Sequence, residues 1–348
     1  MDKYFAASNS AQGFFSYYND CFSECDKLYI IKGGPGTGKS GFMRACSRYA
    51  EERGSYVEYF FCSSDPDSLD GVIIHNKSKS IAIIDGTSPH VYDMEIPGVR
   101  DNIINLGEAW DEGALDKSRE MIFSLCHGKT EAYRRAYNAL AICGNLTAVM
   151  DSYVGEFVLS DKMRDSAQRL VERYCVSGEG KRRIRLIDSV SMKGRVRFDT
   201  FERNATNTVV IGDTYCAGNI MLEKIKGALD GLGADYYVSY DPVITRRING
   251  IFDTGSRTAF MLSDSRMDSV ENERAVVSIN TRRFIDDGIK DVKGDIKYSL
   301  SLYRSSIDLA LKMLYRAKGM HFALEEIYKG AMDFSLVDKR ISDFCKIL

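Results

Sequence analysis

The sequence lacks the features that mark several classes of protein. Its charges nearly balance, with 47 lysines and arginines against 49 aspartates and glutamates, which argues against broad electrostatic binding to nucleic acid. It has no apolar run long enough to span a membrane, and residues 1–4 do not open an apolar signal region. Its nine cysteines form no CxxC pair. We therefore expect a cytoplasmic protein with reduced thiols and no membrane contact.

Glycine, by contrast, is concentrated in one short stretch. Residues 33–40 read Gly-Gly-Pro-Gly-Thr-Gly-Lys-Ser, which satisfies every fixed position of the phosphate-binding loop pattern, or Walker A motif, G-x-x-x-x-G-K-[ST]. A short apolar strand is predicted at 29–31, and a helix is predicted from Gly41 to about Arg53, which is the context that the pattern requires. The predicted phosphate-binding residues are Gly34, Pro35, Gly36, Thr37, Gly38, Lys39, Ser40 and Gly41.

Each residue type in this stretch suits the binding of a nucleoside triphosphate. Glycines let the backbone adopt φ > 0 and bring amide groups close to phosphate oxygens. The following helix directs its positive end at the same oxygens. Lys39 is predicted to contact the β- and γ-phosphates, and the Ser40 hydroxyl is predicted to bind Mg²⁺. The predicted ligands are therefore ATP and Mg²⁺.

A second group of candidate residues follows predicted strands. Asp85 ends the apolar stretch 81–85, as the Walker B acid of such a site does, and is predicted to share the metal with Ser40. Gly86 comes next, where many ATP-hydrolysing proteins carry a glutamate that activates water. Asp65, Asp67 and His90 are the candidates for that role, which makes Lys39, Asp85, Asp65, Asp67 and His90 the predicted catalytic set. The alternative is that Asp65 and Asp67 only form a turn beside Pro66, and that His90 is a loop histidine.

The order of predicted elements indicates an α/β fold. Strands at 29–31, 56–61 and 81–85 alternate with helices, which predicts a doubly wound parallel sheet with ligands at the carboxyl ends of its strands. A strand pair is predicted around Gly13. From about 102 to 175 the apolar spacing is helical, which predicts either an arm with a packing role or a lid over the nucleotide.

The second half of the sequence repeats the first. Ordered matches recur at an offset that drifts only from 181 to 175 residues, and the predicted strands at 208–211, 236–240 and 259–262 keep the same order. The matches include Ser8 with Ser189, Gly33 with Gly212, Asp85 with Asp264 and Asn105 with Asn280. We therefore predict tandem P-loop NTPase-like units, each with a helical arm: a nucleotide-binding domain at 1–175 and a degenerate copy at 182–348.

The second copy has lost the phosphate-binding chemistry. Ala217, Gly218 and Asn219 stand where the first copy has Gly38, Lys39 and Ser40. Each lost charge-assisted contact costs about 1.5–3 kcal/mol, so a working nucleotide site is not expected there. The copy is predicted to be a structural cover, or else a regulatory or partner-binding half.

A basic run joins the two copies, beginning Lys-Arg-Arg-Ile-Arg at 181–185 and continuing through Lys193, Arg195 and Arg197. It is predicted to be a solvated linker and strand face. The alternatives are an arginine that reaches the γ-phosphate and a weak contact with nucleic acid.

Several stretches resemble a family of bacterial P-loop ATPase-like proteins built from two similar halves. They are residues 32–40, 62–65, 69–74 and 85–90. The resemblance covers most of the chain, although only the first stretch is specific by itself. It implies the fold of the P-loop-containing nucleoside triphosphate hydrolase superfamily and ATP binding, and it supplies no substrate.

The sequence thus predicts an ATP-binding protein, a Mg²⁺-dependent hydrolase with one intact loop. The alternatives are a small-molecule kinase, in which an unknown acceptor replaces water, and a non-catalytic nucleotide sensor with an unknown protein partner.

Overall fold

The chain folds around two six-stranded sheets with helices packed against them. The computed structural model describes residues 1–77, 79–263 and 277–348. The first sheet contains β1 Asp2–Phe5, β4 Lys27–Lys32, β5 Tyr56–Phe61, β6 Leu69–His75, β7 Ser80–Asp85 and β8 Asp101–Asn105. The second contains β9 Arg182–Ile184, β12 Asn207–Gly212, β13 Tyr236–Tyr240, β14 Ile248–Asp253, β15 Thr258–Ser263 and β16 Val277–Asn280. The predicted α/β class is confirmed.

The two sheets have the same strand order. The first runs β1-β5-β6-β7-β4-β8, and the second, read from its other edge, runs β9-β13-β14-β15-β12-β16. In each sheet one strand, β6 or β14, is antiparallel to both neighbours, and the remaining pairs are parallel. The sheets are therefore mixed rather than wholly parallel, because β5 and β6 are joined by a short loop rather than by a crossover helix.

In each half a small hairpin follows the first strand of the sheet, β1 or β9. The hairpins pair β2 Ala7–Ser10 with β3 Gly13–Ser16, and β10 Asp188–Ser191 with β11 Gly194–Arg197. Gly13 and Gly194 both have positive φ at the start of the returning strand, a conformation that glycine adopts without steric cost. The strand pair predicted around Gly13 is confirmed.

Nine α-helices are found in the described part of the chain. They are α1 Tyr18–Phe22, α2 Lys39–Glu51, α3 Glu112–Lys117, α4 Arg119–Gly155, α5 Ser160–Tyr174, α6 Thr200–Asn204, α7 Gly218–Leu232, α8 Lys293–Gly330 and α9 Phe334–Cys345. The helical prediction for 102–175 is wrong at its beginning, because 101–105 form the edge strand β8, which pairs with β4. Among these helices none combines the length and the apolar composition needed to cross a membrane.

The long helices α4 and α8 form one antiparallel arm. The thiol of Cys143 on α4 lies 3.7 Å from the carbonyl oxygen of Tyr303 on α8, and a Cβ atom at Gly128 would lie 2.8 Å from Met320 Sδ. Small residues at such positions let helix backbones approach closely. The arm is therefore built jointly by the two halves of the sequence.

The helices that follow the arm are exchanged between the sheets. Met163 and Val171 of α5 belong to the apolar core of the second sheet. Phe344 of α9 instead contacts Tyr29 and Phe42 of the first half, with ring centroids 4.7 and 5.4 Å away. Thus α5, which lies within the predicted 1–175 domain, packs on the second sheet, and α9 packs on the first.

Candidate functional site

The glycine loop lies between the end of β4 and the start of α2. Gly36 and Gly38 have φ of 70° and 88°, values at which any other residue would be strained. Gly38 is also the N-cap of α2. It has no side chain, so no side-chain oxygen at this position accepts hydrogen bonds from the first amides of the helix. The amino end of α2, where backbone amides and the helix dipole favour an anion, therefore faces the interior of the loop.

Lys39 and Asp85 meet at this loop. Because β7 pairs in parallel with β4, and Asp85 stands opposite Ile31, the carboxylate is placed beside the loop that follows β4. Lys39 Nζ lies 3.6 Å from Asp85 Oδ2, and both side chains are about seven-eighths buried. Lys39 Nζ also donates to the carbonyl oxygens of Gly33 and Gly34 at 3.1 and 2.6 Å. The register of the sheet thus brings one ammonium group and one carboxylate together beside the glycine loop.

Two hydroxyl groups brace the loop, one from within it and one from the segment that follows β7. Thr37 Oγ1 donates to the carbonyl oxygen of Gly34 at 2.9 Å, and Thr87 Oγ1 donates to that of Gly33 at 2.8 Å. The amide of Thr87 donates to Asp85 Oδ1 at 2.8 Å. These bonds fix the Asp85 carboxylate, leaving Oδ2 directed at Lys39.

Ser40 connects α2 to the next strand along the sheet. Its Oγ accepts a hydrogen bond of 3.0 Å from the amide of Leu69, the first residue of β6. The hydroxyl hydrogen and the second lone pair are left for another partner. Ser40 therefore lies between the loop and the entrance to β6.

The end of the arm covers the loop. The ring of Tyr328 on α8 and the indole of Trp110 pack over Gly34, and the backbone of α8 at Glu325 packs on Gly36. On α4, burial lowers the pKa of Lys129, and the nearby charge of Lys39 lowers it further. Sequence reasoning missed these residues, because a helical periodicity does not reveal which turn of a long helix crosses a distant loop.

No family model matches the chain, and no curated protein or solved structure matches it significantly. The geometry of the site itself is therefore the basis for a functional proposal.

Asp65, Asp67 and His90 have other partners. Asp67 is largely exposed and pairs with Lys193, whose hydrogen bond lowers the pKa of Asp67. Asp65 forms a turn, since its carbonyl oxygen accepts from the amide of Ser68 at 2.9 Å. His90 is buried, with Nε2 3.1 Å from Asp70 Oδ2. Within residues 1–77, 79–263 and 277–348, no hydrogen bond or ion pair joins the three candidates to Lys39, Ser40 or Asp85.

The corresponding loop of the second half is closed by its own side chain. Asp213 Oδ1 accepts a 2.6 Å hydrogen bond from the amide of Gly218, the first residue of α7. A carboxylate of the chain thus takes the position at the helix terminus where an anion is favoured. Asp264, which matches Asp85 in sequence, lies outside the described residues.

Three arginines of the basic run are largely buried in ion pairs, so the prediction of a solvated linker and strand face is wrong for them. Arg185 pairs with Glu58, Arg195 with Asp188 and Arg197 with Glu202. Lys193 pairs with Asp67 as described above. The pairs of Arg185 and Lys193 join the second half to the first, whereas those of Arg195 and Arg197 lie within the second half.

Gly36→Ala should loosen the contact between the arm and the loop. A Cβ atom there would lie 2.5 Å from the carbonyl oxygen of Glu325, so the backbone of α8 has to shift in addition to the strain of φ 70°. Gly98→Ala is the matched control, because Gly98 has φ 74° with nothing within 4 Å of an added Cβ. We expect Gly36→Ala to lower the free energy of unfolding by at least about 1 kcal/mol more than Gly98→Ala. Equal losses in urea titrations would contradict this packing.

Proposed function

We propose that the chain binds Mg²⁺-ATP at residues 33–40 and hydrolyses it slowly. The observation that carries the proposal is the distance of 3.6 Å between Lys39 Nζ and Asp85 Oδ2, beside a glycine loop at the amino end of α2. An isolated motif match is a weak argument, whereas the strand-loop-helix context and an adjacent strand-end carboxylate are the structural context that the motif requires.

The residues present fit a triphosphate and its metal ion. In the proposed complex Lys39 exchanges its contacts with the Gly33 and Gly34 carbonyls for phosphate oxygens, and the loop amides donate to the same anion. Ser40 and Asp85 supply oxygen ligands of the kind that Mg²⁺ prefers. When bound, Mg²⁺ neutralises phosphate charge and orients the reacting group. Fixed donors of this kind contribute most to phosphoryl transfer, which depends chiefly on positioning and charge.

We further propose that both halves have P-loop NTPase-like folds and that the second is a degenerate copy. The identical strand order of the two sheets supports this, and so does the equivalent placing of the two hairpins. The second half then serves as a scaffold, because its own loop is closed by Asp213 while its helix α8 covers the loop of the first half.

A kinase is the second candidate, because the space around Gly86, the residue after Asp85, is too small for the glutamate that many ATP hydrolases carry there. A Cβ atom at Gly86 would lie 2.2 Å from Ile30 Cγ2, so a glutamate that activates water does not fit at that position. Asp65, Asp67 and His90 remain proposed groups for positioning water or an acceptor, although each is held by another partner. In a kinase the hydroxyl of the acceptor replaces water as the nucleophile, so a glutamate that activates water is not required after Asp85.

The three functional classes are distinguished by whether ATP is turned over and by whether turnover requires an acceptor. Phosphate release from ATP with no added acceptor supports the hydrolase. Turnover that requires one member of a metabolite panel supports the kinase, and tight ATP binding with no turnover in either assay supports the sensor. The assays are run at equal protein and Mg²⁺ concentrations.

Asp85→Asn should reduce turnover by at least about 100-fold, since it removes the negative charge that faces Lys39 and the metal while Oδ1 can still accept from Thr87. Asp26→Asn is the matched control, because Asp26 accepts hydrogen bonds from Ser80 at the opposite end of β7. The measurement is the rate of phosphate release, or of acceptor phosphorylation, at saturating ATP. A rate for Asp85→Asn equal to that of the control would exclude Asp85 from the reaction.

A further inference from the structure

A second cluster of ligand-type side chains lies at the same edge of the first sheet. Cys62 follows β5, Asp70 is the second residue of β6, and His90 follows β7. Because β6 runs antiparallel between its neighbours, its beginning meets the ends of β5 and β7. One thiol, one carboxyl and one imidazole group thereby converge, with their ligand atoms all within 4.8 Å of one another.

The cluster is buried and incompletely satisfied. The exposed fractions of Asp70 and His90 are 5% and 6%. His90 Nε2 lies 3.1 Å from Asp70 Oδ2, but no hydrogen bond of normal geometry reaches that oxygen, or His90 Nδ1, from the described residues. A buried polar atom without a partner costs about 1–3 kcal/mol, so the chain maintains this arrangement against an energetic penalty.

Burial also disfavours the charged forms of these groups. It raises the pKa of Asp70 to about 6 and raises the pKa of the Cys62 thiol, on which the charge of Asp70 acts in the same direction. A bound cation reverses this balance, because it stabilises both the thiolate and the carboxylate.

The surroundings hold the three groups in place. The amide of Cys62 donates to the carbonyl oxygen of Ser68 at 3.0 Å, and the amide of His90 donates to that of Thr87 at 2.8 Å. The ring of Tyr18 stacks on His90 with centroids 5.2 Å apart, and Phe14 meets the imidazole edge-on at 5.0 Å. A ligand set that is fixed by its backbone and enclosed by aromatic rings is preorganised for binding.

We propose that Cys62 Sγ, the Asp70 carboxylate and His90 bind one Zn²⁺ ion, or a divalent ion of similar softness, with water as a fourth ligand. The donor set selects this class of ion, since thiolate and imidazole suit Zn²⁺ whereas Mg²⁺ prefers oxygen ligands. Ligands at about 2.0–2.3 Å from a tetrahedral zinc ion lie about 3.3–3.8 Å apart. The separations here, from 3.1 Å to at most 4.8 Å, need only small side-chain movements to match.

The ion would join the ends of three neighbouring strands at the same edge of the sheet as the glycine loop. Gly71 of β6 stands opposite Ile84 of β7, so Asp70 and Asp85 occupy neighbouring positions on the two paired strands. In this proposal His90 holds the ion instead of positioning water or an acceptor. The zinc site does not depend on nucleotide binding, so Lys39→Ala is expected to leave it intact.

Metal binding is tested with the full chain after removal of bound metal by a chelator. Zn²⁺ is titrated against a chromophoric competitor, and Co²⁺ is added as a spectroscopic substitute that shows charge-transfer absorption with a thiolate ligand. We expect one ion per chain, a Co²⁺–thiolate band and a higher melting temperature with Zn²⁺. Absence of the Co²⁺–thiolate band in the wild-type chain would overturn the proposal, whatever the variants do.

Variants identify the ligands. Cys62→Ser and His90→Gln should each weaken Zn²⁺ binding by at least about tenfold, and Cys62→Ser should remove the Co²⁺–thiolate band. Cys126→Ser and His127→Gln are the controls, because these neighbours on α4 are exposed and offer the competing thiol and imidazole. Binding that survives in both test variants, or is lost equally in both controls, would place the ion elsewhere and overturn the proposal.

Discussion

Replacing Lys39 by alanine is expected to weaken ATP binding by at least about 100-fold while the fold is retained. The ammonium is the one side-chain cation within hydrogen-bonding distance of the loop carbonyls of Gly33 and Gly34, and it lies 3.6 Å from Asp85 in the described structure. Its removal takes away charge-assisted bonds worth about 1.5–3 kcal/mol each and leaves the Asp85 carboxylate to repel the phosphates. The measurement is calorimetric titration with ATP in the presence of Mg²⁺.

The control for this variant is Lys27→Ala. Lys27 begins β4, the strand that Lys39 follows, and its ammonium donates to the carbonyl oxygen of Val99 at the opposite end of the sheet. It should bind ATP as the wild type does. Unchanged ATP affinity in Lys39→Ala, with circular dichroism showing both variants folded, would remove the assignment of residues 33–40 as the phosphate site.

The second large effect is expected for Arg185→Ala, which should lower the free energy of unfolding by about 3–5 kcal/mol. Arg185 Nε lies 2.5 Å from Glu58 Oε2, and both side chains are 3% exposed. Glu58 also contacts His75 Nε2 at 2.8 Å. Removing the guanidinium leaves a buried carboxylate without its principal partner, and it removes the ion pair that joins the residue after β9 to β5 of the first half.

This ion pair also gives the expected dependence of stability on pH. Burial alone raises the pKa of Glu58, but the charge of Arg185 and the hydrogen bonds from His75 and Arg185 outweigh it and lower the pKa from 4.5 to about 2. A carboxyl group with a lowered pKa contributes stability that is present above pH 4.5 and is lost as the pH falls toward 2. In Arg185→Ala we therefore expect the free energy of unfolding to fall less steeply as the pH is lowered from 4.5 toward 2.

Urea unfolding at pH 7 and at a series of lower pH values measures both effects. Arg134→Ala is the control, because Arg134 pairs with Glu131 on the exposed face of α4, where such pairs contribute at most about 1 kcal/mol. An Arg185→Ala protein that is as stable as the control at pH 7 would show that the buried pair does not hold the halves together.

The sequence predicted those parts of the site that depend on local patterns. The loop at 33–40, helix α2 and strand β7 carry their own signals in glycine spacing, helical periodicity and a continuous apolar run. The approach of Asp85 to Lys39 follows from one further rule, that ligands gather at the carboxyl ends of parallel strands. These inferences need no knowledge of distant contacts.

The remaining features depend on tertiary packing and could not be predicted in this way. Strand β8 at the edge of the sheet reads Asp-Asn-Ile-Ile-Asn, a short and mostly polar stretch without the regular alternation of a half-buried strand. The covering of Gly36 by Glu325 joins residues almost 300 positions apart. The cluster of Cys62, Asp70 and His90 has no spacing typical of a metal site, because an antiparallel strand, rather than one helix or turn, brings its members together.

The exchange of α5 and α9 also has a physical explanation. Each helix has an apolar face that must be buried, and after the antiparallel arm each chain segment emerges beside the other half's sheet. Met163 and Val171 therefore fill the second core, whereas Val337 and Phe344 fill the first. The two halves interlock, so neither sequence half has a complete set of covering helices by itself.

The most direct test of the central proposal is a crystal structure of the wild-type chain with Mg²⁺ and a non-hydrolysable ATP analogue. The proposal predicts β- and γ-phosphate oxygens within about 3 Å of Lys39 Nζ and the loop amides, with Mg²⁺ held by Ser40 Oγ and by Asp85 directly or through water. A nucleotide bound at any other place, with Lys39 still bonded to Gly33 and Gly34, would contradict it.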